Sequence, residues 1–294
     1  MLTVRPDFYD DFHCLAGSCR HSCCVGWEID VDAQTLVYYR GLDGALGEEL
    51  REQIDPEPTP HFRLTEDERC PFLNSENLCR LILELGEDGL CDICALHPRF
   101  YNDYPGRTEM GLGLCCEEAA RLLCEGQGPL RLIAESDGEG DEEPTPLLIL
   151  RGQIFALLAD DVRPLTERMG DALALMGLSL RPFDAPEAAR FFLTLERMDE
   201  SWTVLLEKLA AAPPKEPEPR LNDGRYGRIA AYLVYRHFAS AEDGEAAGRR
   251  LQFCFYAARL VCALELFSPD ALRLFSAEIE YSDENVEKLC QWLG

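Results

Sequence analysis

At 294 residues the chain is long enough for about two ordinary domains, each able to bury its own core. Charged residues make up 28%, a usual share, but 54 Asp and Glu against 28 Lys and Arg leave a formal charge of −26. So acidic a surface repels phosphate backbones and anionic headgroups, which argues against nucleic acid and membrane surfaces as partners and favours basic proteins.

No stretch approaches the ~20 apolar residues of a membrane span. The most apolar run, 251–266, is interrupted by Gln252, Arg259 and Glu265 and reads as a buried helix. The opening residues lack the apolar core of a signal peptide, and Asp7, Asp10 and Asp11 stand among them, so a cytoplasmic location is expected.

Taken in order, residues 27–32 alternate apolar with acidic side chains, which predicts a short strand, and 33–40 read as a helix. Pro56, Pro58 and Pro60 make the next segment a loop, because each proline lacks a donor and disfavours helix at the residue before it. An extended stretch at 62–64 leads to a turn at 74–77 that brings Cys70 and Cys79 together. A short helix at 81–85 stops at Gly86, Pro98 ends any helix begun at Cys91, and strong helix formers fill 116–124. Residues 135–144 carry six acids and no large apolar side chain, the composition of a linker. Beyond it the pattern predicts helices near 147–160, 164–178, 185–211, 225–240, 245–267 and 269–292, with a proline-rich spacer at 213–219. The expected fold is therefore mainly α. It comprises an irregular Cys-rich metal-binding unit with few short strands at 1–134, an acidic linker at 135–146 and an all-helical domain at 147–294.

Eleven of the fourteen cysteines precede residue 125, namely Cys14, Cys19, Cys23, Cys24, Cys70, Cys79, Cys91, Cys94, Cys115, Cys116 and Cys124. Disulfides need an oxidising compartment, which the opening residues do not suggest. Ordinary core packing accounts for Cys124, Cys254 and Cys262, which sit in helical apolar patterns. It does not account for the adjacent pairs Cys23-Cys24 and Cys115-Cys116, or for Cys91-x2-Cys94, whose spacing lets two thiols converge on one ion or cluster. One C-x2-C pair among irregular intervals fits an iron–sulfur cluster better than zinc, and thiolates are soft donors suited to either. Metal binding is expected to couple to folding of this half.

Catalytic signatures are sparse. Gly111-Leu112-Gly113 lacks the third glycine of a dinucleotide loop, and Gly26 stands where the third thiol of a radical S-adenosylmethionine motif would follow Cys19-x3-Cys23. His13, His21, His61 and His97 lie near cysteines but read first as ordinary histidines, with His97 the best exception.

The segment Phe12-His13-Cys14-x4-Cys19-x3-Cys23-Cys24-x-Gly26-Trp27-x-Ile29-x2-Asp32, then Cys70-x-Phe72-Leu73, Leu78-Cys79 and Leu90-Cys91-x2-Cys94 with Pro98-Arg99, resembles the flagellin lysine-N-methylase (FliB) family. It is also similar to the wider group of cysteine-cluster proteins described as zinc- or iron-chelating. Cys115-Cys116-Glu117-Glu118-Ala119-Ala120-Arg121 resembles the family's following motif, with Cys for Ser and Glu for Pro, and 277–285 resembles its closing helix. The resemblance implies a cytoplasmic methyltransferase that moves methyl groups from S-adenosylmethionine to flagellin lysines, with an associated four-iron, four-sulfur (4Fe-4S) cluster. Carried over by position, it implies metal ligands among Cys14, Cys19, Cys23, Cys24, Cys70, Cys79, Cys91, Cys94 and Cys116. These exceed the four thiolates that one cluster needs, and catalytic residues stay unassigned. Lysine methylation requires a neutral amine and an in-line donor, which an acidic, partly desolvated channel would serve. The rival reading is a non-catalytic module, a zinc- or iron-binding or redox-sensing adaptor.

Overall fold

In the computed structural model, which describes every residue but 137, 139–142, 214–217, 267 and 269, the chain opens with β1 (Leu2–Pro6), whose Val4 and Pro6 are buried. Helix α1 (Ala33–Gly41) starts where the Asp32 carboxylate accepts the Thr35 N–H at 2.8 Å, and α2 (Gly44–Gln53) follows at once. Strands β2 (Ile54–Asp55) and β3 (His61–Phe62) pair antiparallel across the proline-rich loop. Helix α3 (Arg80–Leu85) ends at Gly86, whose φ of 80° suits a residue without a Cβ, and α4 (Asp92–Leu96) stops before Pro98. Strands β4 (Arg99–Tyr104) and β5 (Arg107–Leu112) are joined by Pro105-Gly106; α5 (Glu117–Glu125) and β6 (Leu132–Ser136) follow.

A four-stranded sheet in the order β4-β5-β1-β6 results. Strand β1 runs parallel to β5, with Leu2 opposite Arg107 and Val4 opposite Glu109, and antiparallel to β6, with Leu2 opposite Ser136. The remainder is helical: α6 (Pro146–Leu158), α7 (Leu165–Ala174), α8 (Ala185–Phe192), α9 (Glu200–Ala211), α10 (Glu218–Leu221), α11 (Gly224–His237), α12 (Gly244–Leu264), α13 (Ala271–Phe275), a π-helical turn at Ser276–Glu280 and α14 (Asp283–Leu293). The chain is thus mainly helical with few short strands.

Three local expectations change. The helix expected over 185–211 is broken, because Thr194 Oγ1 bonds back to the Phe191 carbonyl at 2.6 Å, Arg197 takes the carbonyls of Leu193 and Leu195, and Asp199 caps a new helix through the Ser201 N–H at 2.7 Å. The helix expected over 269–292 passes through the π turn and restarts at Ser282, which accepts the Asn285 N–H at 3.2 Å. The strand expected over 27–32 reduces to a single bridge between Asp30 and His61, since Asp32 is committed to capping α1. Part of the acidic linker (137, 139–142) and of the proline-rich spacer (214–217) lies outside the described residues.

Contacts gather the chain into two units, both discontinuous in sequence. One comprises Met1–Phe12, Tyr101–Cys115 and Ala119–Gly294; the other comprises His13–Phe100 and Cys116–Glu118. In the first, α12 is buried along nearly its whole second half, from Phe253 to Leu264. Several of its buried charges have close partners: Glu109 with Arg151 at 2.5 Å, Arg228 with Asp7 at 2.9 Å, and Glu280 with Arg236 at 3.4 Å and, through a hydrogen bond, with His237 at 2.7 Å. Burial opposes ionisation of Glu280, but Arg236 and the His237 hydrogen bond outweigh it and bring its carboxyl down to about 2. An unfolded glutamate titrates near ~4.3, so this group stabilises the fold fully above that pH and the contribution disappears as pH falls through about 2. Acid unfolding of Glu280→Gln should therefore show a flatter stability slope below pH ~4 than the parent, as read from urea midpoints at successive pH values.

The second unit is built on Ile29, Val31, Tyr39, Leu50, Ile54, Phe62, Phe72 and Leu81. Tyr39, Phe62 and Phe72 pack ring to ring, and the Tyr39 hydroxyl donates to the Gly89 carbonyl at 2.7 Å. Gly47 lets α2 close on the end of α1, for a Cβ there would stand 2.0 Å from the Leu42 carbonyl oxygen. Gly47→Ala is expected to destabilise this unit by about 1–3 kcal/mol through forced backbone movement, measurable as a lowered denaturation midpoint.

Candidate metal centre

The sulfurs of the second unit are placed by short local devices. Asp32 accepts the Asp92 N–H on its second oxygen at 3.0 Å, fixing the start of α4, and the Cys94 and Ala95 amides return to the Cys91 carbonyl at 3.0 and 2.9 Å. That single turn puts both thiols of Cys91-x2-Cys94 on one side, with a thiol–thiol hydrogen bond between them. Across the unit, the Cys70 amide donates to the Cys24 carbonyl at 2.8 Å, Val25 bridges Arg69, and Gly26, at φ 75°, donates to the Glu68 carbonyl at 2.8 Å. The Asn74 side chain accepts the Glu76 and Leu78 amides, each at 2.9 Å, and this tight turn returns Cys79 beside Leu73.

These devices bring five of the nine predicted sulfurs onto one apolar core. Cys70 and Cys91 are part of it, and Cys24, Cys79 and Cys94 pack against it half-buried. Cys24, Cys79 and Cys91 are near enough to Cys70 for their negative charge to act on it, and Cys24, Cys70 and Cys91 act likewise on Cys94. Burial pushes Cys70 up to about 12 and raises Cys79; the hydrogen bond with Cys91 and burial raise Cys94. Within each bonded pair one sulfur is favoured as thiolate. The Cys23 hydrogen bond brings Cys24 down to about 7, and the Cys94 bond lowers Cys91. An apolar core resists several thiolates at once unless a cation offsets them, so this donor set suits a metal centre that displaces protons on binding.

The other four predicted sulfurs are not among the residues of that core. Cys14 and Cys23 are exposed and Cys19 and Cys116 half-buried. Cys14 and Cys116 are near enough to Cys23 to contribute to raising its pKa, after the larger effects of the Cys24 hydrogen bond and burial. The Cys19 thiol donates to Glu117 at 3.9 Å, and Arg20 holds the same carboxylate through its backbone N–H at 3.0 Å and its Nε at 2.8 Å. The vicinal Cys23-Cys24 hydrogen bond joins the two groups.

All fourteen cysteines are free thiols. Among the described residues, no three His, Cys, Asp or Glu side chains are arranged to hold one metal ion. A polynuclear cluster asks for a wider set, since each thiolate reaches a different iron. Cys254, Cys262 and Cys290 are buried in the helical unit, and burial raises each thiol, as expected of packing residues for the first two. His97 is half-buried and its pKa is lowered by burial, which keeps its ring neutral. Reading the sequence gave no structural role to the side chains of Asp32, Asn74 or Glu117, although Asp32 and Glu117 stand in the motifs that carry the family resemblance and Asn74 opens the expected turn. The signal for Asp32 was present, an aspartate directly before a helical pattern.

The chain is similar to lysine-N-methylases and to a flagellar biosynthetic protein. The lysine-N-methylase of Salmonella choleraesuis (strain SC-B67) is 29% identical over 131 residues, 42% of this chain and 33% of the relative. That of Salmonella typhimurium is 28% identical over the same shares, and the flagellar biosynthetic protein FliU of Salmonella muenchen is 28% identical over 42% of this chain and 78% of its own length. The chain spans about a third of the length of the two methylases it matches. No family model matches the chain, and no solved structure matches it. Among the described residues no helix is long and apolar enough to cross a membrane.

Proposed function

We propose that the chain is a cytoplasmic protein-lysine N-methyltransferase that acts on flagellin or a similar surface-appendage protein, with S-adenosylmethionine as donor and an iron–sulfur cluster in its Cys-rich unit. The observation that carries this reading is the gathering of Cys24, Cys70, Cys79, Cys91 and Cys94 on one apolar core in a chain whose relatives are named for lysine methylation. Four of these five would hold the cluster, and the fit rests on soft donors and on an apolar setting that favours several thiolates only beside positive charge. When bound, the cluster supplies positive charge and cross-links distant points of the chain. The chain's own residues do the rest: Asp32 fixes the Cys91 turn, Asn74 the Cys79 turn, and the Cys24–Cys70 backbone bond clamps the two loops. The −26 charge supports a lysine-bearing protein partner over nucleic acid or an anionic membrane.

Incubation of anaerobically purified, iron-replete protein with methyl-labelled S-adenosylmethionine and flagellin is expected to label flagellin lysines. Unlabelled flagellin under those conditions overturns the reading. It would favour the metal-binding adaptor instead, a reading supported by the match to only about a third of each methylase. Brown colour distinguishes iron–sulfur from colourless zinc.

A further inference from the structure

Beside the sulfur core of the second unit lies an open groove of about 370 Å³ lined by Val31, Leu36, Pro60, Ile93 and neighbouring acids. Three carboxylates, Asp30, Asp32 and Asp92, stand around it, and among the described residues no Lys or Arg lines it. Its lining is unusual in two respects. First, Asp92 and Ile93 are the two residues between Cys91 and Cys94, so one wall of the groove belongs to the turn that presents those thiols. Second, Ile93 is 47% exposed, an apolar side chain left open to water next to carboxyl groups. Asp32 is held ionised by the Thr35 and Asp92 backbone N–H groups, and those two bonds leave a carboxylate further acceptor capacity. An apolar floor rimmed by negative charge matches one common side chain in both parts, a four-carbon stem ending in an ammonium.

We infer that this groove is a docking subsite for a charged lysine side chain of the protein substrate, with the stem along Val31, Leu36 and Ile93 and the ammonium among Asp30, Asp32 and Asp92. The inference rests on the methyltransferase reading for its biological occupant but not for its test. Arginine fits less well: its stem is shorter and its planar fork seeks paired acceptors in one plane. The groove recruits lysine in the charged state, which carboxylates favour, and so acts on substrate capture rather than on the transfer itself.

The test uses the full chain and a blocked amino acid, Nα-acetyl-lysine-N-methylamide, with its norleucine and Nε-acetyl-lysine counterparts as controls, binding being followed by saturation-transfer NMR. The lysine compound is expected to bind at least about tenfold more tightly than either control, and Asp30→Asn with Asp92→Asn to remove most of that preference. Ile93→Lys, which places a tethered ammonium in the groove, should abolish it without touching an acid. Unchanged iron content and circular dichroism show that the variants fold. Equal binding of lysine and norleucine compounds, or a preference that survives both variants, overturns the inference. Lysine-selective binding without any methyl transfer would leave the groove standing and sink the methyltransferase reading. Methyl transfer whose KM for flagellin is unmoved in the double variant would do the reverse.

Discussion

Glu109→Ala is expected to lower the stability of the sheet-and-helix unit by about 3–5 kcal/mol, among the largest effects a single substitution has in a buried ion pair. The Glu109 side chain is fully buried and takes two hydrogen bonds from Arg151, at 2.7 and 2.5 Å, while Arg107 approaches it at 2.5 Å. Arg151 is itself 2% exposed, donates to the Tyr235 carbonyl at 3.2 Å and lies over the Tyr235 ring at 5.2 Å. Deleting the carboxylate strands a desolvated guanidinium, and that unpaired charge is the main cause of the loss. Urea titration followed by tryptophan fluorescence should show the lowered midpoint, with Glu109→Gln falling between parent and Ala because it keeps the shape and one acceptor. An Ala variant as stable as the parent would mean that Arg151 reaches water or another acceptor.

The second large effect concerns the sulfur core. If the proposed iron–sulfur cluster sits among its thiols, Cys91→Ser is expected to abolish the visible absorption of anaerobically purified protein and to drop iron and sulfide to near zero. Cys91 is fully buried on the core, has the lowered pKa that suits a ligand, and begins the turn that also positions Cys94. Cys254→Ser is the matched control, a buried cysteine of the helical unit whose loss should leave colour intact. If Cys91→Ser retained full iron, the cluster would have to sit among the other sulfurs.

How much of this was legible in the sequence depended on the range of the contact involved. Helices α1 and α5 were readable because each is a continuous run of residues that suits a helix, and α3 and α4 because their stops, Gly86 and Pro98, are local. The Cys70–Cys79 turn and the Cys91-x2-Cys94 pair were readable for the same reason, since fewer than ten residues separate the partners. The division of nine sulfurs into a core five and an outer four was not. It rests on the backbone bond from Cys70 to Cys24 and on the grip of Arg20 on Glu117, partners with no sequence proximity. The sheet escaped too. A parallel pair such as β1 with β5 has no connecting turn to announce it, and β4 and β5 carry mixed aromatic and polar residues without a clean alternation. The break after α8 depends on Arg197 folding back onto carbonyls that a continuous helix would have used, a choice of side chain over backbone that periodicity does not register.

The pairing of β1 with β5 also sets an order of events during synthesis. Leu2–Pro6 is synthesised before both of its neighbours, since Arg107–Leu112 and Leu132–Ser136 follow it by a hundred residues and more. Everything from His13 to Phe100 is translated in that interval, so the Cys-rich segment emerges nearly whole while the first strand is still waiting for a partner. Of the nine sulfurs only that of Cys116 is made later, between the two strands, β5 and β6, that flank β1 in the sheet.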